Sequence, residues 1–465
     1  MREKIFWNRG FRFNEFFDEK WINEPMGDEG REVLIPHTVK ETPFNCFDES
    51  IYQMVSCYQR VFVPSDSWKG RIVRVTFEGA AHRSEVYLNG VQVGEHSCGY
   101  SAFTIDITDR LIYGEENILT VRLDSREDLD QPPFGYVIDY MTYGGIYRDV
   151  YLTVTDPVYI EDAFYIPEFP TVFTLGLSCS EIAGMRVNGT LKTKLRLSAA
   201  AKEALKAGRL TLSQSIRRVG NHEEKDARVL VRNGIFSSEN IQLSAGKVAL
   251  WDIKSPALYE AVTTLKLDGE PVDSFTANIG FREAFFEADG FYLNGRKLRI
   301  RGLDRHQCFP YVGYAMPESM QRRDADILKD ELRVNAVRTS HYPQSHYFID
   351  ECDRKGLLVF TEMPGWQHIG GEAWKDIAVQ NTIDMVEQYR NHPSIILWGV
   401  RINESKDDDE FYARTNAAAH RLDPTRQTGG VRSMKADRKT NIQEDVMTYN
   451  DFVHSGENEG CLPKH

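Results

Sequence analysis

Cysteine is sparse and unorganised in this 465-residue sequence: the seven residues are odd in number, scattered, and include no CxxC pair. That excludes a disulfide framework and the usual zinc spacings, and suits reduced thiols. Long apolar runs are missing as well. No uncharged stretch is long enough to span a bilayer, and the N-terminus, Met1-Arg2-Glu3-Lys4-Ile5-Phe6-Trp7-Asn8-Arg9, lacks the apolar centre of a signal peptide. Positive charge is in deficit: 56 Lys+Arg against 69 Asp+Glu give a net charge of −13. No basic cluster is dense enough to follow a phosphate backbone, so neither nucleic acid nor membrane is an expected partner, and the expected location is cytoplasmic. What is present is 41% hydrophobic content and ordinary charge, enough for roughly two to four globular domains.

Helical periodicity is missing from the first 280 or so positions. Tyr58-Gln59-Arg60-Val61-Phe62-Val63 and Arg71-Ile72-Val73-Arg74-Val75-Thr76-Phe77 alternate, and Ser84 to Gly94 alternates around Asn89-Gly90. Asn-Gly between alternating strands marks a type I′ hairpin, whose two central residues both need positive φ. The pattern predicts a jelly-roll β-sandwich over 1–155, a fold often used to hold sugars. Beyond Asp156-Pro157, alternation in Thr190–Leu197, Arg228–Val231 and Ala261–Leu267 predicts an immunoglobulin-like β-sandwich over 156–282. The small and charged run Ser198–Ala207 reads as a long loop between strands.

From 283 to 465 strands alternate with helices, the signature of a parallel sheet and here of a (β/α)8 barrel followed as far as about its sixth strand. Leu298–His306 reads as the first strand, after an Asn294-Gly295 hairpin. Pro317-Glu318 opens a helix to about Leu332, with Pro at the first helical position and Glu at the positive end of the dipole. Val334–His341 is the second strand; a helix from about Ser345 ends near Gly356; Leu357–Glu362 is the third strand; and a helix over Asp376–Asn391 is stopped by His392-Pro393. The fourth strand is the apolar Ile395-Ile396-Leu397-Trp398-Gly399-Val400 segment, carried on to Asn403-Glu404. Gln427–Val431 and Val446–Asn450 are the fifth and sixth.

In parallel barrels the chemistry sits at the C-terminal strand ends. Here these ends carry Asp304, Arg305 and His306; Arg338, Ser340 and His341; Glu362; Asn403 and Glu404; Tyr449 and Asn450. A single polar strand end is usually a cap or a buried partner. Five in succession form a rim of donors, acceptors and carboxylates suited to a polyhydroxylated ligand, whose hydroxyls must be paired when water is expelled.

Asn335-Ala336-Val337-Arg338-Thr339-Ser340-His341-Tyr342-Pro343, followed by Asp353-Arg354-Lys355-Gly356-Leu357-Leu358-Val359, resembles the signature of glycoside hydrolase family 2. Phe291-Tyr292-Leu293-Asn294-Gly295 with Arg301-Gly302 and His306 resembles the family's entry to its barrel. Tyr143-Gly144-Gly145-Ile146-Tyr147-Arg148-Asp149-Val150 resembles the close of its sugar-binding jelly roll. The resemblance runs through the whole chain and the domain order. It implies a retaining exo-β-glycosidase acting on β-linked glycosides, of β-galactosidase type, with a β-glucuronidase of the same family as the alternative. It further implies that Glu404 is the general acid/base and that Asn403 binds the sugar hydroxyl next to the anomeric carbon. Asp139 would reach from the jelly roll to sugar hydroxyls, His306, His341, Glu362 and Tyr449 would contact or support the sugar, and Arg338 would be the structural arginine beneath the acid/base pocket.

The family's magnesium-dependent galactosidases carry a histidine two positions beyond the glutamate matched by Glu362. That position is Pro364, and nearby His368 has the wrong spacing, so no metal is assigned. No cofactor is expected, although the sequence leaves a divalent or monovalent cation, and a homo-oligomer, open. Two departures stand out. Arg401-Ile402 adds one residue to the commoner spacing between the tryptophan and Asn-Glu, an insertion that a bulge absorbs. A retaining enzyme also needs a second carboxylate about 5–5.5 Å from the first. In this family that nucleophile ends the seventh strand, and the glutamates near the C-terminus, Glu444, Glu457 and Glu459, lack such a strand, which places the nucleophile beyond this chain. A reading of another class follows, an inactive carbohydrate-binding remnant whose unclosed barrel exposes sheet edges and an apolar interior.

Overall fold

The computed structural model describes residues 1–43, 45, 48–128, 130–135, 138–170, 181, 185–220, 228–432 and 442–450, with backbone alone at 228–233. Glu457 and Glu459 lie outside these residues.

Two antiparallel sheets pack face to face in the first part. One has six strands, in the order Arg31–Val33, Phe11–Asn14, Val55–Phe62, Asn117–Asp124, Arg83–Leu88 and Val91–His96; the other has four, Glu3–Phe6, Val150–Thr155, Ile72–Phe77 and Phe103–Asp106. Inward residues such as Phe13, Tyr58, Val75, Val86, Val121 and Leu152 are buried between the sheets. Asn89-Gly90 turns the Arg83–His96 hairpin with φ of 50° and 85°, the positive pair that the dipeptide predicts.

A second sandwich sets a three-stranded sheet, Ile160–Glu168, Arg186–Leu197 and Asn240–Ala249, against a four-stranded one, Arg228–Phe236, Leu210–Val219, Tyr259–Leu267 and Glu270–Ile279. Along Arg186–Leu197 burial alternates almost without exception, as a strand with one wet face requires. The loop read over Ser198–Ala207 is corrected: Ala199–Lys206 is an α-helix. Ser198 Oγ accepts from the Ala201 N–H at 3.2 Å, and the following Ala-Ala-Ala-Lys-Glu-Ala run has the highest helix propensity. The small and charged composition of the run, which suggested a loop, suits a short solvent-facing helix equally well.

Barrel elements are numbered from the first parallel strand. They are β1 Gly302–Arg305, α1 Glu318–Asp326, β2 Ala336–Thr339, α2 His346–Lys355, β3 Leu358–Glu362, α3 Glu372–Tyr389, β4 Ile395–Gly399, α4 Asp409–Leu422, β5 Gln427–Gly429, β6 Val431–Arg432 and β7 Thr448–Tyr449. β1 to β5 form one parallel sheet in sequence order, and β6 pairs with β7 in parallel. Pro317 stands at the N-cap of α1, one position before the place expected for it. Gly356 ends α2 in the left-handed region, as its position predicts.

The fourth strand is shorter than expected. Its pairing with β3 shifts at Ile396, so the bulge falls early, and the ladder stops at Gly399. Val400 to Glu404 then run outside the sheet, tied by Val400 N to Gly429 O at 2.9 Å and Glu404 N to Val431 O at 2.8 Å. The extra pair Arg401-Ile402 turns inward: Ile402 is fully buried, and Arg401 is buried against Glu444 and Asp407. An apolar cavity of about 260 Å³, lined by Leu303, Val337, Phe360, Leu397 and Thr448, opens against the sheet, and Leu303 on the β1 edge is 47% exposed.

The three parts lock together through arginines. Arg2 forks onto Asp273 across the two sandwiches at 3.1 and 2.9 Å. Buried Arg148 leaves the first sandwich to donate to Gln307 Oε1 and Pro343 O, both at 2.9 Å, beside the strand ends of the barrel. No described helix is long and apolar enough to cross a membrane.

Candidate active site

The strand ends converge on one guanidinium. Arg338, at the end of β2, donates from Nε to Glu362 Oε1 at 2.7 Å and from Nη2 to Glu362 Oε2 at 3.0 Å. The same Nη2 donates to Asn403 Oδ1 at 2.8 Å, and Nη1 reaches Asp304 Oδ2 at 3.2 Å. Bidentate, charge-assisted contacts of this kind fix both partners in geometry as well as energy. Burial alone would push the Glu362 carboxyl up, but the Arg338 charge and the His341 and Arg338 hydrogen bonds outweigh it and hold it below the usual carboxylate range. Glu362 is thus a permanent anion with both oxygens used.

His341 Nδ1 lies 3.0 Å from Glu362 Oε2 and 3.2 Å from Arg338 Nη2. His306 Nδ1 lies 3.1 Å from the Tyr342 hydroxyl. Burial, together with the neighbouring His341 and Arg338, lowers the His306 pKa to about 4, which keeps its imidazole neutral at ordinary pH.

Glu404 leaves the end of the β4 segment with φ of 54°, a left-handed conformation that non-glycine residues adopt only when the surroundings impose it. Gln367 Nε2 donates to its Oε2 at 3.0 Å and Asn450 Nδ2 to its Oε1 at 2.5 Å.

The residues named from sequence therefore fall into two groups. Arg338, Glu362, His341 and Asn403 form one connected network, with Glu404 adjacent in the chain to Asn403 and His306 packed on His341 at 5.5 Å between ring centroids. Asp139 and Tyr449 stand apart. Asp139 is exposed and makes no hydrogen bond among the described residues; its neighbour Tyr140 instead reaches the barrel, its ring 5.2 Å from His306 and 5.9 Å from His341. The Tyr449 hydroxyl lies against the Met447 sulfur, while Asn450, one residue on, touches Glu404. Gln367 and Tyr140 were not singled out from sequence. Asn450 was visible as a strand end, whereas Gln367 sits in the loop after β3 with no local signal.

No second free carboxylate faces Glu404 among the described hydrogen-bonded groups. Glu362 is spent on Arg338, and Glu444 is buried with Oε1 2.7 Å from Arg401 Nε. The described cluster with metal-ligand character, Asp350, Asp353 and His392, lies on α2 and after α3, away from this rim. Its 2.6 Å approach of Asp353 Oδ2 to His392 Nδ1 is that of a hydrogen bond.

Three models of glycosyl hydrolases family 2 match the chain: the sugar binding domain over residues 17–157, the family's central domain over 181–282 and its TIM barrel domain over 286–455. The chain belongs to glycoside hydrolase family 2. It is similar to a β-galactosidase of Thermoanaerobacterium thermosulfurigenes, 43% identical over 465 residues, which cover 99% of this chain and 62% of that protein. It is also similar to a β-glucuronidase of Bacteroides fragilis, 30% identical over 441 residues, covering 92% of this chain and 60% of that protein. Among solved structures, a putative β-galactosidase from Bacteroides fragilis superposes with a TM-score of 0.75 at 26% identity, over 97% of this chain and 66% of that one. This family 2 chain thus spans about three fifths of the length of these curated relatives.

Proposed function

We propose that the chain carries the acid/base half of a retaining β-galactosidase site. The observation that carries this reading is the pairing of Asn403 and Glu404: Arg338 occupies Asn403 Oδ1, which leaves the amide Nδ2 as the donor, beside a carboxyl held by two neutral amides. Glu404 would protonate the glycosidic oxygen and then, as the conjugate base, take a proton from the water that releases the sugar. Asn403 would hold the hydroxyl next to the anomeric carbon, and His306, His341 and Asp139 would meet hydroxyls further round the ring. The resemblance to the family implies that the nucleophile is another glutamate, ending the seventh strand of the family's barrel; Glu362 and Glu444 are each engaged by an arginine.

A galactoside is favoured over a glucuronide. The chain is 43% identical to a β-galactosidase and 30% identical to a β-glucuronidase. The test, in the protein with its nucleophile present, is the release of p-nitrophenol from p-nitrophenyl β-D-galactoside and from the matching glucuronide. Preferential galactoside turnover is expected. Preference for the glucuronide would reassign the sugar, and binding without turnover of either would favour the carbohydrate-binding remnant.

A further inference from the structure

Glu404 lies between two backbone ladders. On one side Trp366 bridges Asn403, and Gln367 N donates to Asn403 O at 2.7 Å. On the other, Glu404 N donates to Val431 O at 2.8 Å, β6 pairs with β7, and Asn450 N donates to Arg432 O at 3.1 Å. Each ladder ends in a primary amide that reaches one oxygen of the same carboxyl, Gln367 from the loop after β3 and Asn450 from the end of β7. Gln367 itself is held at φ of 57°, so both it and Glu404 occupy left-handed backbone, which persists in non-glycine residues where the surroundings over-determine it.

We propose that Gln367 and Asn450 are the positioning residues of the acid/base, and that their being amides is what lets one carboxyl serve in both protonation states. A lysine or arginine at either place would hold Glu404 as a permanent anion, as Arg338 holds Glu362. An amide presents an N–H donor to the carboxylate, and after a half-turn of its side chain it presents a carbonyl acceptor to the protonated acid. The carboxyl therefore gains a partner in either state and is locked in neither. Two carboxyls of opposite design stand one strand apart: buried Glu362 clamped by charge for structure, and half-buried Glu404 cradled by neutral groups for proton transfer.

This inference rests on the proposed glycosidase reading, so its test has two arms. In the first, Gln367→Met and Asn450→Leu are made in the protein with its nucleophile present and assayed on phenyl β-D-galactoside, whose leaving group needs a proton, and on 2,4-dinitrophenyl β-D-galactoside, whose leaving group does not. Each variant is expected to lower kcat/KM on the phenyl substrate by about tenfold or more and to leave the dinitrophenyl substrate within about threefold, within the range that acid catalysis contributes. An equal fall on both substrates would mean that the amides serve structure alone and would overturn the proposal. The second arm needs no activity. Gln367→Glu sets two carboxylates against each other and should lower the Tm at pH 8 by several degrees, while the exchanged pair Gln367→Glu/Glu404→Gln restores an amide–carboxylate contact and the Tm with it. A Gln367→Glu penalty that is the same with and without Glu404→Gln shows no coupling and overturns the pairing. A chain inert even to the dinitrophenyl galactoside would count against the glycosidase reading, and the exchange would still decide the contact.

Discussion

Arg338 and Asn403 are joined across the ends of neighbouring elements, Nη2 donating to Oδ1 at 2.8 Å while the same guanidinium grips both oxygens of Glu362. One cation thus fixes a buried anion and sets the direction of the amide beside Glu404. Because Glu362 is almost wholly buried, removing its partner leaves an unpaired charge in a dry site. Arg338→Ala should therefore cost about 3–5 kcal/mol. Arg338→Lys should cost less than that but remain clearly destabilising, since an ammonium cannot fork. Urea denaturation at pH 7 measures both, and an Arg338→Ala variant of wild-type stability would contradict the network.

Acid should act on Glu362 in a defined direction. Its folded pKa lies below the unfolded carboxyl value, so its contribution to stability is full above about pH 4.3 and is lost as pH falls through the folded value. Glu362→Gln should be less stable than wild type at neutral pH, with the gap narrowing below pH 4. Unfolding free energies taken in steps from pH 7 to pH 3 read this directly; a constant gap would remove Glu362 as an ionised group.

His306 titrates the other way round from a paired histidine. Its folded pKa of about 4 lies under the ordinary 6.5, so between those values the unfolded chain binds a proton that the folded chain refuses. Stability therefore rises with pH across that window and is lost as pH falls through it. Replacing His306 with Gln should flatten the slope of Tm against pH there by the share of one proton, whereas an unchanged slope would place the titration elsewhere.

Tyr140 offers a stability test of the contact between sandwich and barrel. Its ring is 91% buried against His306, His341 and Tyr342, yet its hydroxyl has no hydrogen-bond partner among the described residues. Tyr140→Phe should leave the Tm unchanged or raise it, because an unpartnered buried hydroxyl costs about 1–3 kcal/mol. Tyr140→Ala should cost about 3–5 kcal/mol through the lost packing. A clear loss on Tyr140→Phe would reveal a partner for the hydroxyl.

The parts legible in the sequence were those governed by local chemistry. Asn89-Gly90 gave a hairpin because both residues must take positive φ, Gly356 ended a helix for the same reason, and alternation across Thr190–Leu197 announced one wet and one dry face. The barrel strands were legible as apolar runs, and their polar ends named Arg338, Glu362, Asn403 and Glu404 before any geometry was at hand. What escaped depends on contacts distant in sequence. Gln367 carries no pattern of its own and finds Glu404 through a ladder formed only when the loop after β3 lies beside residue 403. Tyr140 belongs to a different sheet system from the histidines that it covers. The helix after Ser198 failed for the opposite reason: the cap was in plain view, but a run of small and charged residues passes equally well for a connection.

That helix gives a separate check on the second sandwich. Ser198 Oγ accepts from Ala201 N and Tyr159 N and donates to Pro157 O at 2.7 Å. Ser198→Ala should cost about 1–2 kcal/mol, at the upper end for a cap because three contacts go at once. Loss of far-ultraviolet helix signal without loss of Tm would place the helix outside the cooperative unit.

The central claim is the role of Glu404, and chemical rescue tests it most directly. In the protein with its nucleophile present, Glu404→Ala should cut hydrolysis of phenyl β-D-galactoside by about 10²–10⁴-fold, leave the 2,4-dinitrophenyl substrate able to react, and yield β-galactosyl azide when azide is added to that substrate. A Glu404→Ala variant that hydrolyses both substrates at the wild-type rate, with no azide product, would contradict the assignment.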